Sequence, residues 1–231
     1  MSSRTIALCL IFLFSIVTEA SCQTPSKAVT PTDYVSAFKD TLSALAARSD
    51  DAYLKMHFTS MIAVIDARYN STYADTALLV NAYHAFNKTY DPASPKMTST
   101  YLERRRPLIF SWVSPHDGNV SFSWLTLPKN WDPSRKYPLY IQLHGLWAVA
   151  NSSIEYMTWP FLQEPSYSNA FEDGYYLSPW ARGNYWYRDI SEIDIWDCMA
   201  AVEDTLQVDQ SRKYITGHSM GGYGAWSIAS K

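Results

Sequence analysis

The stretch Lys213-Tyr214-Ile215-Thr216-Gly217-His218-Ser219-Met220-Gly221-Gly222-Tyr223-Gly224-Ala225-Trp226-Ser227-Ile228-Ala229 decides how this chain is read. It opens on a short β-forming run, Lys213 to Thr216, and closes on an apolar segment that reads as the start of a helix. Between them Gly217-His218-Ser219-Met220-Gly221 fits G-x-S-x-G, a five-residue pattern that chance often produces. The flanks give it weight, because the motif requires a strand-to-helix turn. A serine on that sharp, strained bend stands clear at the carboxyl end of its strand. Residues two before and two after it must be small, or their side chains collide across the turn, and Gly217 and Gly221 meet that need. Gly222 and Gly224 are expected to let the helix pack closely. The helix N-terminus leaves free N–H groups and a positive dipole end beside the hydroxyl. Ser219 is the candidate catalytic nucleophile; the alternative is a glycine-rich structural turn with an incidental serine.

Acyl-transfer chemistry needs two donors for an oxyanion. The backbone N–H of Met220 is one candidate. The other is expected in a loop after an earlier strand. Tyr137 to Leu143 is a nearly continuous apolar run, as in a strand covered on both faces. His144-Gly145-Leu146 follows it, and the N–H of Leu146, or that of Gly145, is the second candidate. An ordinary strand-ending turn is the alternative. His144 is read as ordering this loop and not as a base. His218 fills a variable position of the motif. His57 and His84 fall in a helical block and His116 in a turn, where packing or surface roles are expected.

Upstream of Tyr137 the pattern divides the chain. Residues 1–22 read as a secretory signal peptide, with Arg4, a short apolar run from Ile6 to Val17, and small residues at Ala20 and Cys22. The run is too short to span a bilayer comfortably, so no transmembrane segment is expected in the mature chain. The expected location is secreted or periplasmic. Ala20-Ser21-Cys22 resembles the end of a lipobox, but Glu19 stands where that motif takes an apolar residue. Residues 23–31 read as a linker and 32–95 as a small helical region. Thr32 is the expected N-cap, Tyr34, Phe38, Leu42 and Leu45 recur at helical spacing, and 51–68 and 72–88 are further helices. Asp91-Pro92 and Ser94-Pro95 mark its end.

Residues 96–231 read as a domain mixing strands and helices. Leu108-Ile109-Phe110 and Val120 to Leu127 form a hairpin about the turn at His116-Asp117-Gly118-Asn119. Residues 147–175 are aromatic and irregular, and Tyr176-Leu177 is a short strand. Asp189 to Leu206 is the clearest helix, with Asp189 and Glu192 resembling a capping box and Ile190, Ile193, Trp196 and Ala200 forming the apolar stripe. Glu192, Asp197, Glu203 and Asp204 read as a solvated acidic face and not a carboxylate site. Asp209 to Arg212 is a turn before the strand Lys213 to Thr216. Strands alternating with helices imply a mainly parallel sheet, begun by an antiparallel hairpin.

The chain has 231 residues, is 47% hydrophobic and carries a net charge of −3. That charge gives no basic stripe for a nucleic-acid partner. Of three cysteines, Cys9 and Cys22 lie in or beside the signal. Cys198 is left without a pairing partner and is expected to be buried. N-x-S/T sequons begin at Asn70, Asn87, Asn119 and Asn151, and they matter only in a host that glycosylates secreted proteins.

Tyr137 to Gly145, Arg182-Gly183-Asn184 through Asp194-Ile195-Trp196-Asp197, and Tyr214 to Gly222 together resemble the prolyl oligopeptidase-like α/β-hydrolases. The neighbouring esterases, which include feruloyl esterases and polyhydroxybutyrate depolymerases, look similar. The resemblance covers roughly residues 107–231. It implies an α/β-hydrolase fold, Ser219 as nucleophile, the backbone donors above, and no metal or organic cofactor. The implied substrate is a small molecule, peptide or ester, including one linked to polysaccharide. The residues admit either a serine-type peptidase or a carboxylic ester hydrolase. In that family an Asp and then a His follow the serine. The twelve residues after Ser219 contain no Asp, Glu or His. The expectation is a fold incomplete at its C-terminus and a polypeptide inactive alone, since an unassisted serine hydroxyl stays protonated. The alternative is a non-catalytic protein of the same fold that binds carbohydrate or another ligand. Trp147, Trp159, Trp180 and Trp186, within the loop-rich stretch, would serve sugar contact or core packing.

Overall fold

The computed structural model describes residues 30–70, 72–89, 107–162 and 172–231. The expected signal peptide, most of the linker, and the turns at Asp91-Pro92 and Ser94-Pro95 lie outside them, as does the boundary at residues 95 and 96.

Five strands form one mixed sheet in the order β1-β2-β4-β3-β5. These are β1 (Leu108–Val113), β2 (Val120–Thr126), β3 (Tyr137–Leu143), β4 (Tyr175–Pro179) and β5 (Val208–Gly217). The hairpin β1–β2 is antiparallel, from Leu108 opposite Leu125 to Val113 opposite Val120. Its turn closes with Gly118 at a φ of 69°, where a residue without a Cβ is at ease. β2 and β4 are antiparallel, whereas β3 runs parallel to both β4 and β5. Among the described residues six helices accompany the sheet: α1 (Pro31–Arg48), α2 (Ala52–Arg68), α3 (Tyr73–Thr89), α4 (Ser153–Leu162), α5 (Ile190–Thr205) and α6 (Met220–Ala229). The architecture is a partial α/β-hydrolase fold: an antiparallel hairpin leads into parallel strands, and β5 ends at a serine that opens α6.

Several local expectations are corrected. Thr30, and not Thr32, caps α1, because Pro31 suits the first helical position and Asp33 completes a reciprocal box with Thr30. Of the stretch 147–175, residues 147–162 are less irregular than their composition suggests. Ala148–Asn151 is a 3₁₀ turn and α4 follows it, with Pro160 inside the helix. The expected turn Asp209 to Arg212 lies within β5. Leu139 pairs with Lys213 while Tyr137 pairs with Val208, so five steps along β5 oppose two along β3. The Asp209 carboxylate gathers the backbone N–H and hydroxyl of Ser211 at 3.0 and 2.7 Å, so the turn chemistry appears as a bulge.

The buried face of α5 is also not the expected one. Ser191, Asp194, Ile195, Cys198 and Val202 point inward, whereas Trp196 is 40% exposed. Asp194 is fully buried because Arg182 and Ser121 reach it, at 3.0 and 2.6 Å. A partnered carboxylate can thus occupy a core face that apolar periodicity would assign elsewhere. Asp189 makes no capping hydrogen bond; its φ of 50° and ψ of −124° turn it away from a capping geometry.

The helical region is built onto the sheet. β1 is an edge strand whose outward N–H groups need partners. His57 on α2 accepts from Ile109 N at 2.8 Å, and Ser60 accepts from Ser111 N at 3.0 Å. Arg68, at the end of α2, donates to Val120 O at 3.1 and 2.6 Å. At the opposite edge β5 is largely exposed, and Tyr214, Trp196 and Trp226 present 49%, 40% and 82% of their surface.

Candidate active site

Ser219 stands between β5 and α6 with φ 55° and ψ −117°, and it is exposed. For a residue with a Cβ this conformation costs on the order of 1–3 kcal/mol. Two short turns hold it: Gly221 N donates to His218 O at 2.9 Å, and Tyr223 N donates to Ser219 O at 3.1 Å. Backbone conformation alone does not single it out, since Asp189 at the start of α5 has nearly the same angles. The surrounding glycines do.

A Cβ on Gly217 would lie 2.9 Å from Gly221 Cα and nearer still to its carbonyl group. One on Gly221 would lie 2.6 Å from the carbonyl carbon of Leu143 and 2.8 Å from His144 O. The bend closes only because both positions lack side chains. Gly224 takes the ring of Tyr187, whose Cγ would stand 2.6 Å from an added Cβ. Gly222 behaves otherwise: its nearest neighbour would be 3.5 Å away, so the expected close packing there is not present.

The loop after β3 approaches this bend. A Cβ on Gly145 would stand 3.1 Å from His218 O and 3.6 Å from Ser219 Cβ. Met220 begins α6, so its N–H belongs to the unpaired first turn. Gly145 and Ser219 therefore come together. The Leu146 side chain, 58% exposed, extends outward from the same loop.

Residues 144–147 are held at several points. His144 Nδ1 lies 2.9 Å from Gly145 O and Nε2 lies 3.1 Å from Trp180 O. The Tyr187 hydroxyl donates to His144 O at 2.8 Å. Asn184 binds both ends of Trp147, accepting from its N–H at 3.2 Å and donating to its carbonyl at 2.8 Å. Both ring nitrogens of His144 face carbonyl oxygens, an arrangement for ordering a loop and not for taking a proton from Ser219. Burial pushes the Tyr187 hydroxyl well above its ordinary range, so it stays protonated and can donate.

The sequence reading did not single out Tyr187, and it named Asn184 and Trp180 without their part in holding this loop. The one signal was the turn Arg182-Gly183-Asn184. Their segment is strained: Ala181, Arg182, Trp186, Tyr187 and Asp189 all have positive φ. Arg182 anchors it between Asp117 at 2.8 Å and Asp194 at 3.0 Å. Burial holds the Asp194 carboxyl above the usual range, although Ser121 and Arg182 pull the other way. Beyond it, Trp186 meets Tyr223 edge-on at 6.0 Å, and Arg188 donates to the Tyr223 hydroxyl at 3.2 Å. These groups flank the first turn of α6.

His57, His116 and Cys198 are engaged elsewhere, His84 lies against the ring of Tyr34, and His218 is exposed beside Ser219. His57 is buried under β1, and desolvation lowers it to about 3. His116 faces Asp197 at 3.4 Å. Burial raises the Cys198 thiol well above its ordinary value, which suits a packing residue and not a thiolate nucleophile. Of the four tryptophans considered for sugar contact, Trp180 is 8% exposed and Trp186 is 42% exposed.

No family model matches the chain, and no curated protein matches it. Among solved structures it is similar to a thermostable esterase, at 25% identity and TM-score 0.42, over 55% of this chain and 38% of that one. It is similar to the CE1 ferulic acid esterase AmCE1/Fae1A of the anaerobic fungus Anaeromyces mucronatus, at 16% identity and TM-score 0.37, over 53% of each chain. A third likeness is to an S-formylglutathione hydrolase from Agrobacterium tumefaciens, at 18% identity and TM-score 0.36, over 54% of this chain and 53% of that one. The chain covers 38% of the length of the first of these structures and 53% of the length of the other two.

Proposed function

We propose that this protein contributes the nucleophile of a serine hydrolase, with Ser219 attacking an ester or amide carbonyl and forming an acyl-enzyme. The observation that carries this reading is the exposed, left-handed Ser219 at the strand end with the Gly145 backbone against it. The oxyanion of the tetrahedral intermediate would be met by the N–H of Met220 and that of Leu146 or Gly145. His144, Asn184 and Tyr187 fix those donors before substrate arrives, and such preorganisation makes them effective. Carboxylic ester hydrolase and serine-type peptidase share this arrangement and differ in pocket loops.

None of His57, His116 and His144 is proposed as the proton acceptor for Ser219. His57, His116 and His144 are committed to Ile109, Asp197 and the Gly145–Trp180 carbonyls. Residues 1–22 are proposed to direct export, in which case the exported protein begins at Ser21 or Gln23.

A fluorophosphonate probe tests the nucleophile. The full-length protein should be labelled and its Ser219→Ala variant should not. Labelling that persists in the variant would rule Ser219 out. A panel of p-nitrophenyl esters and proline-containing peptides then separates the two chemistries.

A further inference from the structure

A crevice of about 580 Å³ lies where the end of α2 and the start of α3 meet residues 150–153 and 180–185. Arg68, Asn70 and Asp75 line it from the helical side, and Asn151, Asn184 and Tyr185 from the other. Its volume falls within the ~300–1,000 Å³ typical of ligand sites.

The chemistry of the lining selects a class of ligand. Its surface is dominated by amides and hydroxyls, which disfavours an apolar guest. Its charges balance. Arg182 is already paired with Asp117 and Asp194, leaving Arg68 and Asp75 as one cation and one anion. That disfavours a strongly anionic guest such as a phosphate ester. Several donors make no hydrogen bond among the described residues: Nδ2 of Asn70, Nδ2 of Asn151, Nη1 of Arg68 and the Ser153 hydroxyl. Trp180 offers no open face, since Phe122 stacks at 5.6 Å and Arg68 lies 5.2 Å from its ring centre. Tyr185, 67% exposed, does offer one.

We infer that this crevice binds a neutral oligosaccharide, whose hydroxyl oxygens accept from the unengaged amide N–H groups and from Nη1 of Arg68 while Tyr185 covers a ring face. The inference does not depend on chemistry at Ser219. Asn184, which lines the crevice, also holds Trp147 at the end of the loop after β3.

The test is calorimetric titration of the chain, made in a host without N-glycosylation and carrying Ser219→Ala, with cellohexaose, xylohexaose and mannohexaose. At least one should bind. Tyr185→Ala and Asn151→Ala, checked for unchanged melting temperature, should each weaken it by about tenfold, a loss of about 1.4 kcal/mol. Trp226→Ala, at an exposed site on α6, should leave it unchanged. The inference is overturned if none of the three binds at about 10 mM, where even the weakest specific ligands register. Equal binding by the Tyr185 and Asn151 variants overturns it too, as does loss of binding in the Trp226 variant.

Discussion

The hydroxyl of Tyr187 donates a 2.8 Å hydrogen bond to the carbonyl oxygen of His144, while its ring lies against Gly224. One side chain thus spans from the loop after β3 to the helix that begins at Ser219. Tyr187→Phe keeps the ring and leaves a buried carbonyl without this donor. The expected cost is about 1–3 kcal/mol of stability, read from urea unfolding. If the wild-type stability is retained, Tyr187 is not an anchor of this loop.

Gly217→Ala and Gly221→Ala should each destabilise the bend severely. The added methyl meets backbone that cannot rotate aside, so the loss should reach or exceed the ~1–3 kcal/mol usual for overpacking. Gly222→Ala, whose methyl would make only ordinary contact with Gly217 O at 3.5 Å, should be neutral or slightly stabilising because it favours helix. Equal melting temperatures for all three variants would contradict the geometry of the turn.

Asp194 and Arg182 form a pair with the carboxylate fully buried. Removing one partner strands the other, so Arg182→Met should cost about 3–5 kcal/mol. The double variant Arg182→Met with Asp194→Leu should recover part of that loss, because neither charge is then left in the core. A double-mutant cycle with additive effects would argue against coupling.

His57 makes stability depend on pH. Its neutral ring accepts from Ile109 N, and burial depresses it to about 3 from 6.5. The folded state therefore resists a proton that the unfolded chain takes up below about pH 6.5. The stabilisation is complete above that value and declines as pH falls toward 3, by at most about 1.4 kcal/mol per pH unit. Comparing His57→Gln with wild type by urea unfolding at pH 7 and pH 5 should show a smaller loss on acidification in the variant. A parallel loss in both would remove His57 as the cause.

The bend at Ser219 was legible in the sequence because its requirement is local: two glycines at fixed offsets, a strand before and a helix after. The hairpin was legible for the same reason, since alternation and turn residues act between neighbours. The buried face of α5 was not. Asp194 sits in the core only because Arg182, twelve positions earlier, and Ser121, on β2, are brought to it. Nor could periodicity place His57 and Ser60 against the edge of β1 or Asn184 against Trp147, contacts made across 52, 51 and 37 residues. What the sequence determined by itself was the local conformational code that presents a serine at a strand end. Tertiary structure alone decided which polar groups could be buried, because a buried charge or N–H is stable only when folding delivers its partner.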